Sequence, residues 1–118
     1  GVVYHANYLK YFERARSQFL IDNQVSQTDA LLKNESYIVK KINLEYLSPA
    51  ILDDKLIIKS DAVLMSGARI QFMQSAHNQK NDTLICKGVV EVCYFDTGKK
   101  KPKAFPNTLL ALFGDIHG

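Results

Sequence analysis

Only one stretch of this sequence repeats with the period of a long helix, and nearly everything after it alternates like strand. From Asn7 to Ile21, the residues Tyr8, Leu9, Phe12, Ala15, Phe19 and Leu20 recur at spacings of three and four, with Lys10, Glu13, Arg14 and Ser17 on the other side. Asn7 is the expected N-cap. A helix of this length with one apolar face needs something to cover that face. The polar stretch from Asp22 to Ser36 offers only a short helix over Thr28 to Leu32, capped by Ser26 or Thr28. Four strand patterns follow: Tyr37 to Leu47, Lys55 to Met65, Arg69 to His77 and Thr83 to Phe95. Ser48-Pro49, Asp53-Asp54, Ser66-Gly67 and Asn81-Asp82 punctuate them. In the third strand Ile70, Phe72 and Ala76 face one way, and Arg69, Gln71, Ser75 and His77 the other. A short helix over Asn107 to Phe113 is expected in the tail. The pattern predicts an α+β fold, with an antiparallel meander curled around one helix.

The 118 residues make a single domain, 1–118, with no linker or repeat. Hydrophobic residues form 47% and charged residues 23%, the balance of an ordinary globular chain. No run approaches the roughly 20 apolar residues of a membrane-spanning helix. Gly1-Val2-Val3-Tyr4 lacks the basic start of a signal peptide, so a cytoplasmic protein is expected. A net charge of +3 is too small to point to nucleic acid. Cys86 and Cys93 lie seven apart in one strand pattern, hence on opposite faces, and should remain unbridged. No cysteine or histidine spacing suggests a metal. The sequence opens at Gly1, inside an apolar segment and without methionine, so residues upstream of it are expected.

The segments Gly1-Val2-Val3-Tyr4-His5-Ala6-Asn7-Tyr8 and Tyr11-Phe12-Glu13-Arg14-Ala15-Arg16 resemble the 4-hydroxybenzoyl-CoA thioesterase family, specifically its small acyl-CoA thioesterases associated with the Tol-Pal system. The resemblance continues through Tyr46-Leu47-Ser48-Pro49-Ala50, Asp53-Asp54, Asp96-Thr97-Gly98-Lys99, Lys101-Pro102 and Phe105-Pro106, covering nearly the whole chain. It implies a hotdog fold and hydrolysis of an acyl-CoA to a carboxylate and free CoA, without a cofactor. A family aspartate, the base or nucleophile, falls three residues before the position of Gly1 and is absent from this sequence. The resemblance also implies active sites built between subunits of a homodimer or homotetramer. Acyl carrier protein is a further expected partner, and peripheral attachment at the inner membrane a further expected location. Two other classes fit the fold: a module that binds acyl-CoA or acyl carrier protein without turnover, and a dehydratase or isomerase. The helix-start motif favours the thioesterase over the dehydratase, and the presence of the upstream aspartate separates the enzyme from the binding module.

By the same resemblance, the thioester carbonyl meets the start of the long helix, where the backbone amide of His5 polarises it. The His5 side chain is expected to orient water or shuttle a proton, with packing or capping as the alternative. Tyr4 either lines the acyl pocket, donates its hydroxyl or packs. Glu13 is expected in a salt bridge with Arg14 or Arg16, or at a subunit contact, rather than in catalysis. His77 and His117 are expected in solvent. Lys99, Lys100, Lys101 and Lys103 form the densest charge run. A solvated loop is the plain reading; with Arg69, these lysines are also candidates for the phosphates of coenzyme A.

Overall fold

The computed structural model describes residues 5–50 and 54–114, with His5 and Ala6 described by their backbone alone. The long helix, α1, spans His5–Asp22. His5 and Ala6 are already helical, so Asn7 sits inside the helix and does not cap it. Nothing in His5-Ala6 opposes helix, and alanine is the strongest helix former. Gln24, at φ 57°, then turns the chain, and the Val25 amide donates back to the Leu20 carbonyl at 2.8 Å. Helix α2 covers Gln27–Leu32, and its cap is Ser26, whose hydroxyl accepts from the Asp29 amide at 3.0 Å.

The strands fall where the alternation put them: β1 Glu35–Tyr46, β2 Leu56–Ser66, β3 Arg69–Asn78 and β4 Leu84–Asp96. Inside the expected lysine loop, a two-residue strand, β5 (Lys101–Pro102), pairs with the end of β4. It sits beyond the point where β3 begins opposite Cys93. A last short helix, α3 (Asn107–Leu110), continues into a 3-10 turn over Ala111–Phe113.

The strand order corrects the expected meander. The order is β1-β4-β3-β2, all antiparallel, so only β2, β3 and β4 run as neighbours in sequence order. β1 lies on the far side of β4 because β4 is the most apolar strand and needs a partner on both edges. Val90, Val92 and Tyr94 are buried along it. A one-residue slip at Val39/Lys41 keeps Tyr37, Val39, Ile42 and Leu44 on the helix side.

The helix crosses the sheet with Tyr8, Phe12 and Leu20 buried beneath it. Two apolar clusters result. Tyr8 and Phe12 meet Ala50, Ala76, Ile85 and Cys86 near the helix start. Leu20 joins Ile70, Phe72, Val90, Val92 and Tyr94 toward the helix end, closed by Phe105 and Leu109 from the tail. Cys86 belongs to the helix face and Cys93 to the outer face, and both are free thiols.

Gly88 lets the Leu44 side chain of β1 lie across β4. A Cβ there would stand 2.3 Å from Leu44 Cδ2, 3.3 Å from the Asn43 carbonyl oxygen and 3.5 Å from the Phe12 ring. The Leu44 tip can swing away, whereas the backbone carbonyl must shift. Gly88→Ala should therefore destabilise by about 1–3 kcal/mol, read as a lower urea midpoint with unchanged slope.

Candidate active site at the start of the long helix

Among the described residues α1 opens at His5, and the amides of its first turn have no partner within the helix. The helix dipole adds partial positive charge there, and no acidic residue in its first turn offsets it. Tyr4 and the His5 side chain lie outside the described residues. Tyr8 follows in the first turn and is 2% exposed. Its ring meets Tyr11 edge-on at 6.1 Å and Tyr46 at 5.9 Å. Burial raises the Tyr8 phenol above its usual range, aided by the fields of Cys86, Tyr11, Tyr46 and Asp54. Burial also pushes the Cys86 thiol up to about 11, which keeps it an inert packing group. Asp54, just ahead of β2, thus brings a carboxylate's field to the first turn of α1. Sequence reasoning missed this, because Asp54 is more than forty residues away along the chain.

A cavity of about 450 Å³ runs along α1 from Leu9 to Leu20. Leu9, Leu20, Ile70, Phe72, Val92 and Leu109 give it an apolar wall, and Glu13, Arg16 and Tyr37 add polar groups. Glu13 is exposed on its rim, and among the described residues neither Arg14 nor Arg16 lies within 4.0 Å of it, contrary to the expected bridge. Arg16 instead donates to Gln74 Oε1 at 2.9 Å, and loss of solvent lowers its pKa against the raising field of Glu13. Gln74, 3% exposed, donates its own amide to the Phe12 carbonyl at 2.9 Å. This pair of bonds fixes α1 over β3. The Tyr37 phenol is pushed up to about 12, chiefly by burial, and its hydroxyl has no hydrogen-bond partner among the described residues.

The basic candidates gather elsewhere. Lys99 and Lys100 occupy the turn after β4, where the Lys99 amide donates to Asp96 Oδ1 at 2.9 Å. Lys101 follows on β5, and Arg69 begins β3 opposite Cys93, with Nη1 3.5 Å from Glu91 Oε1. Arg69, Lys40, Ser66 and Pro102 border a shallow depression of about 560 Å³ on the outer face of the sheet. Lys103 is not free: its ammonium sits on Glu35 Oε2, while Tyr94 donates to Glu35 Oε1 at 2.5 Å. The structure brings Arg69 and the lysines to one end of β4 and the helix start to the other, beside Cys86. Ten residues of strand separate the two ends, about 33 Å.

A family model, the Thioesterase-like superfamily, matches residues 1–113. The chain belongs to the thioesterase-like superfamily. Within it, the chain is 38% identical over 113 residues to the acyl-CoA thioester hydrolase YbgC of Escherichia coli O6:H1, covering 96% of this chain and 84% of the relative. The acyl-CoA thioesterase YbgC of Haemophilus influenzae is 38% identical over 114 residues, covering 96% and 82%. A 1,4-dihydroxy-2-naphthoyl-CoA thioesterase from Synechocystis superposes with a TM-score of 0.91 over 100% of this chain and 87% of its own. At 15% identity that likeness shows the shared hotdog fold.

Glu35 holds the lysine end of this thioesterase fold to its tail. The Lys103 ammonium, then the Tyr94 hydroxyl, depress the Glu35 pKa below its ordinary value near 4.5. A depressed carboxylate stabilises the fold above its unfolded pKa, and that stabilisation is lost as pH falls through the folded value. Lys103→Met should therefore lower the melting temperature at pH 7. The gap to the parent protein should close as pH falls through and below the carboxylate range. A gap independent of pH would show that the ion pair is not its source.

Proposed function

We propose that this chain hydrolyses acyl-CoA, releasing a carboxylate and free CoA. The observation that carries this reading is an apolar cavity along one flank of α1, in a chain 38% identical to acyl-CoA thioesterases. The thioester carbonyl sits at the start of α1, polarised by the His5 amide and the helix dipole. The acyl group runs along the helix among Leu9, Ile70 and Phe72. Water attacks the carbonyl carbon, the C–S bond breaks and the thiolate leaves. The base is the aspartate that the motif puts three residues ahead of the Gly1 position. The His5 side chain orients the water, and Tyr4 borders the acyl group. By the same resemblance we assign the chain to the Tol-Pal-associated subgroup, acting in the cytoplasm or at the inner-membrane surface.

The working unit in this reading is a homodimer or a pair of homodimers. Two features support it. β1 is an edge strand whose outer side has no strand partner among the described residues. Its Glu35 end lies beside Asp96 and its Tyr46 end beside Cys86. Antiparallel pairing of two β1 edges about a two-fold axis sets the Tyr46 end of one copy beside the Glu35 end of the other. Lys99, Lys100, Lys101 and Arg69 of one copy then serve the CoA phosphates at the helix start of its neighbour. Within one chain the lysines lie about 33 Å from the helix start along β4, and Arg69, opposite Cys93, about 23 Å. Acyl carrier protein, with its phosphopantetheine thioester, would enter by the same end.

Free-thiol release from acyl-CoA tests the chemistry. The 118 residues alone should show no turnover, and addition of the upstream segment with its aspartate should restore it. Asparagine at that position should keep binding and lose most of the rate. In the active protein, His5→Ala should lower kcat only modestly, because the backbone amide remains. Full activity from the 118 residues alone would overturn the assignment of the base.

Replacing Lys99, Lys100 and Lys101 with alanine should raise KM and flatten its salt dependence, with kcat mainly kept. Light scattering should give a dimer or tetramer at micromolar concentration; a monomer would refute the shared site.

A further inference from the structure

The outer face of the sheet carries a second constellation of reactive groups, remote from α1. Ser75 and His77 stand two residues apart on β3, on the face turned away from the helix. Ser75 Oγ lies 2.9 Å from His77 Nε2. The other ring nitrogen, Nδ1, is 3.6 Å from Asp82 Oδ1, too long for a hydrogen bond and within ion-pair range. His77 was expected in solvent, yet only 16% of its side chain is exposed, and its Nδ1 is buried without a hydrogen-bond partner among the described residues. Asp82, 78% exposed, lies in the β3–β4 turn with φ 57°, and its amide donates to the Asn78 carbonyl at 2.8 Å.

The sheet register supplies what a serine nucleophile needs beside a base. Ser75 is directly opposite Lys59 on β2 and Lys87 on β4. Directly opposed residues hold their Cβ atoms about 5 Å apart. Two lysine side chains therefore stem from the positions beside the hydroxyl, within reach of the negative charge that develops when it attacks a carbonyl. Lys87 also reaches Glu45 Oε2 at 3.7 Å, and no carboxylate among the described residues lies within 4.0 Å of Lys59. The groove around these residues encloses about 500 Å³, and Met73, Leu84 and Val89 give it apolar footing.

We propose that Ser75, His77 and Asp82 form a second nucleophilic site, independent of α1, that takes small activated acyl esters. As Ser75 Oγ bonds to the carbonyl carbon, its proton passes to His77 Nε2. Asp82 closes on Nδ1 of the resulting imidazolium, and Lys59 and Lys87 face the oxyanion. The ester C–O bond breaks, and the alcohol or phenol leaves with the proton from Nε2. Water then attacks the acyl-serine, gives its proton to Nε2 and releases the carboxylic acid, while Oγ regains its hydrogen.

The test uses p-nitrophenyl acetate as acyl donor and a fluorophosphonate as trap, with peptide mapping of the labelled residue. Both reagents should modify Ser75. His77→Gln should slow that labelling by about 10²-fold or more, the usual worth of a general base. Asp82→Asn should slow it less, and replacing Lys59 and Lys87 with methionine should slow it further. In the protein that carries the upstream aspartate, Ser75→Ala should abolish labelling at this position while acyl-CoA hydrolysis at the helix start continues, which also shows that the protein is folded. If Ser75→Ala does not fold, Ser75→Cys gives a second readout: its alkylation rate should fall when His77 is replaced. Absence of label on Ser75, or labelling indifferent to His77, would overturn the proposal.

Discussion

The amide of Gln74 is the point on which the arrangement of helix and sheet depends. It sits in the middle of β3, 3% exposed, and donates to the Phe12 carbonyl while accepting from Arg16. Apolar burial holds α1 against the sheet, but burial is non-directional and allows the helix to slide or rotate. Two hydrogen bonds in a desolvated setting remove that freedom, since breaking either leaves a buried polar group unpaired. With Phe12 fixed, the helix start and the cavity along its flank are fixed as well.

The polar groups divide between two ends. At the helix start the assets are backbone ones, amides without a helical partner among the described residues and a dipole, set beside the rings of Tyr8, Tyr11 and Tyr46. At the far end of β4 the assets are cationic side chains, and one of them, Lys103, is committed to Glu35. That commitment separates the lysines by role. Lys103 closes the tail over the Tyr37, Tyr94 and Phe105 cluster, whereas Lys99, Lys100 and Lys101 remain exposed. A charge run uniform in sequence is therefore not uniform in function, because only one of its members faces a buried carboxylate.

Periodicity set the long helix, the four strands and their faces at the level of residues, because burial on one side imposes a period of 3.6 or 2 on the chain itself. Tyr8, Phe12 and Leu20 are buried as their spacing required, and Ile70, Phe72 and Ala76 share a face. The helix already includes His5 and Ala6, ahead of the expected Asn7 cap, since alternation and amphipathicity do not mark a terminus. The motif around His5 pointed to the correct superfamily and to the helix start as the candidate site. Gln74 stayed invisible, because a glutamine at a core position is distinguished only by what it meets.

What the sequence determined by itself was local: which segments coil, which extend, and which side of each is apolar. The tertiary structure alone decided the strand order, with β1 beside β4 instead of β2, because pairing is a long-range choice among edges of similar local character. It decided that Asp54 bears on Tyr8 and that His77 lies against Ser75 and Asp82. It also put the lysines at the opposite end of the sheet from His5. Residues near or far along the chain acquire their distances only when the backbone closes its hydrogen bonds, and no local period encodes that closure.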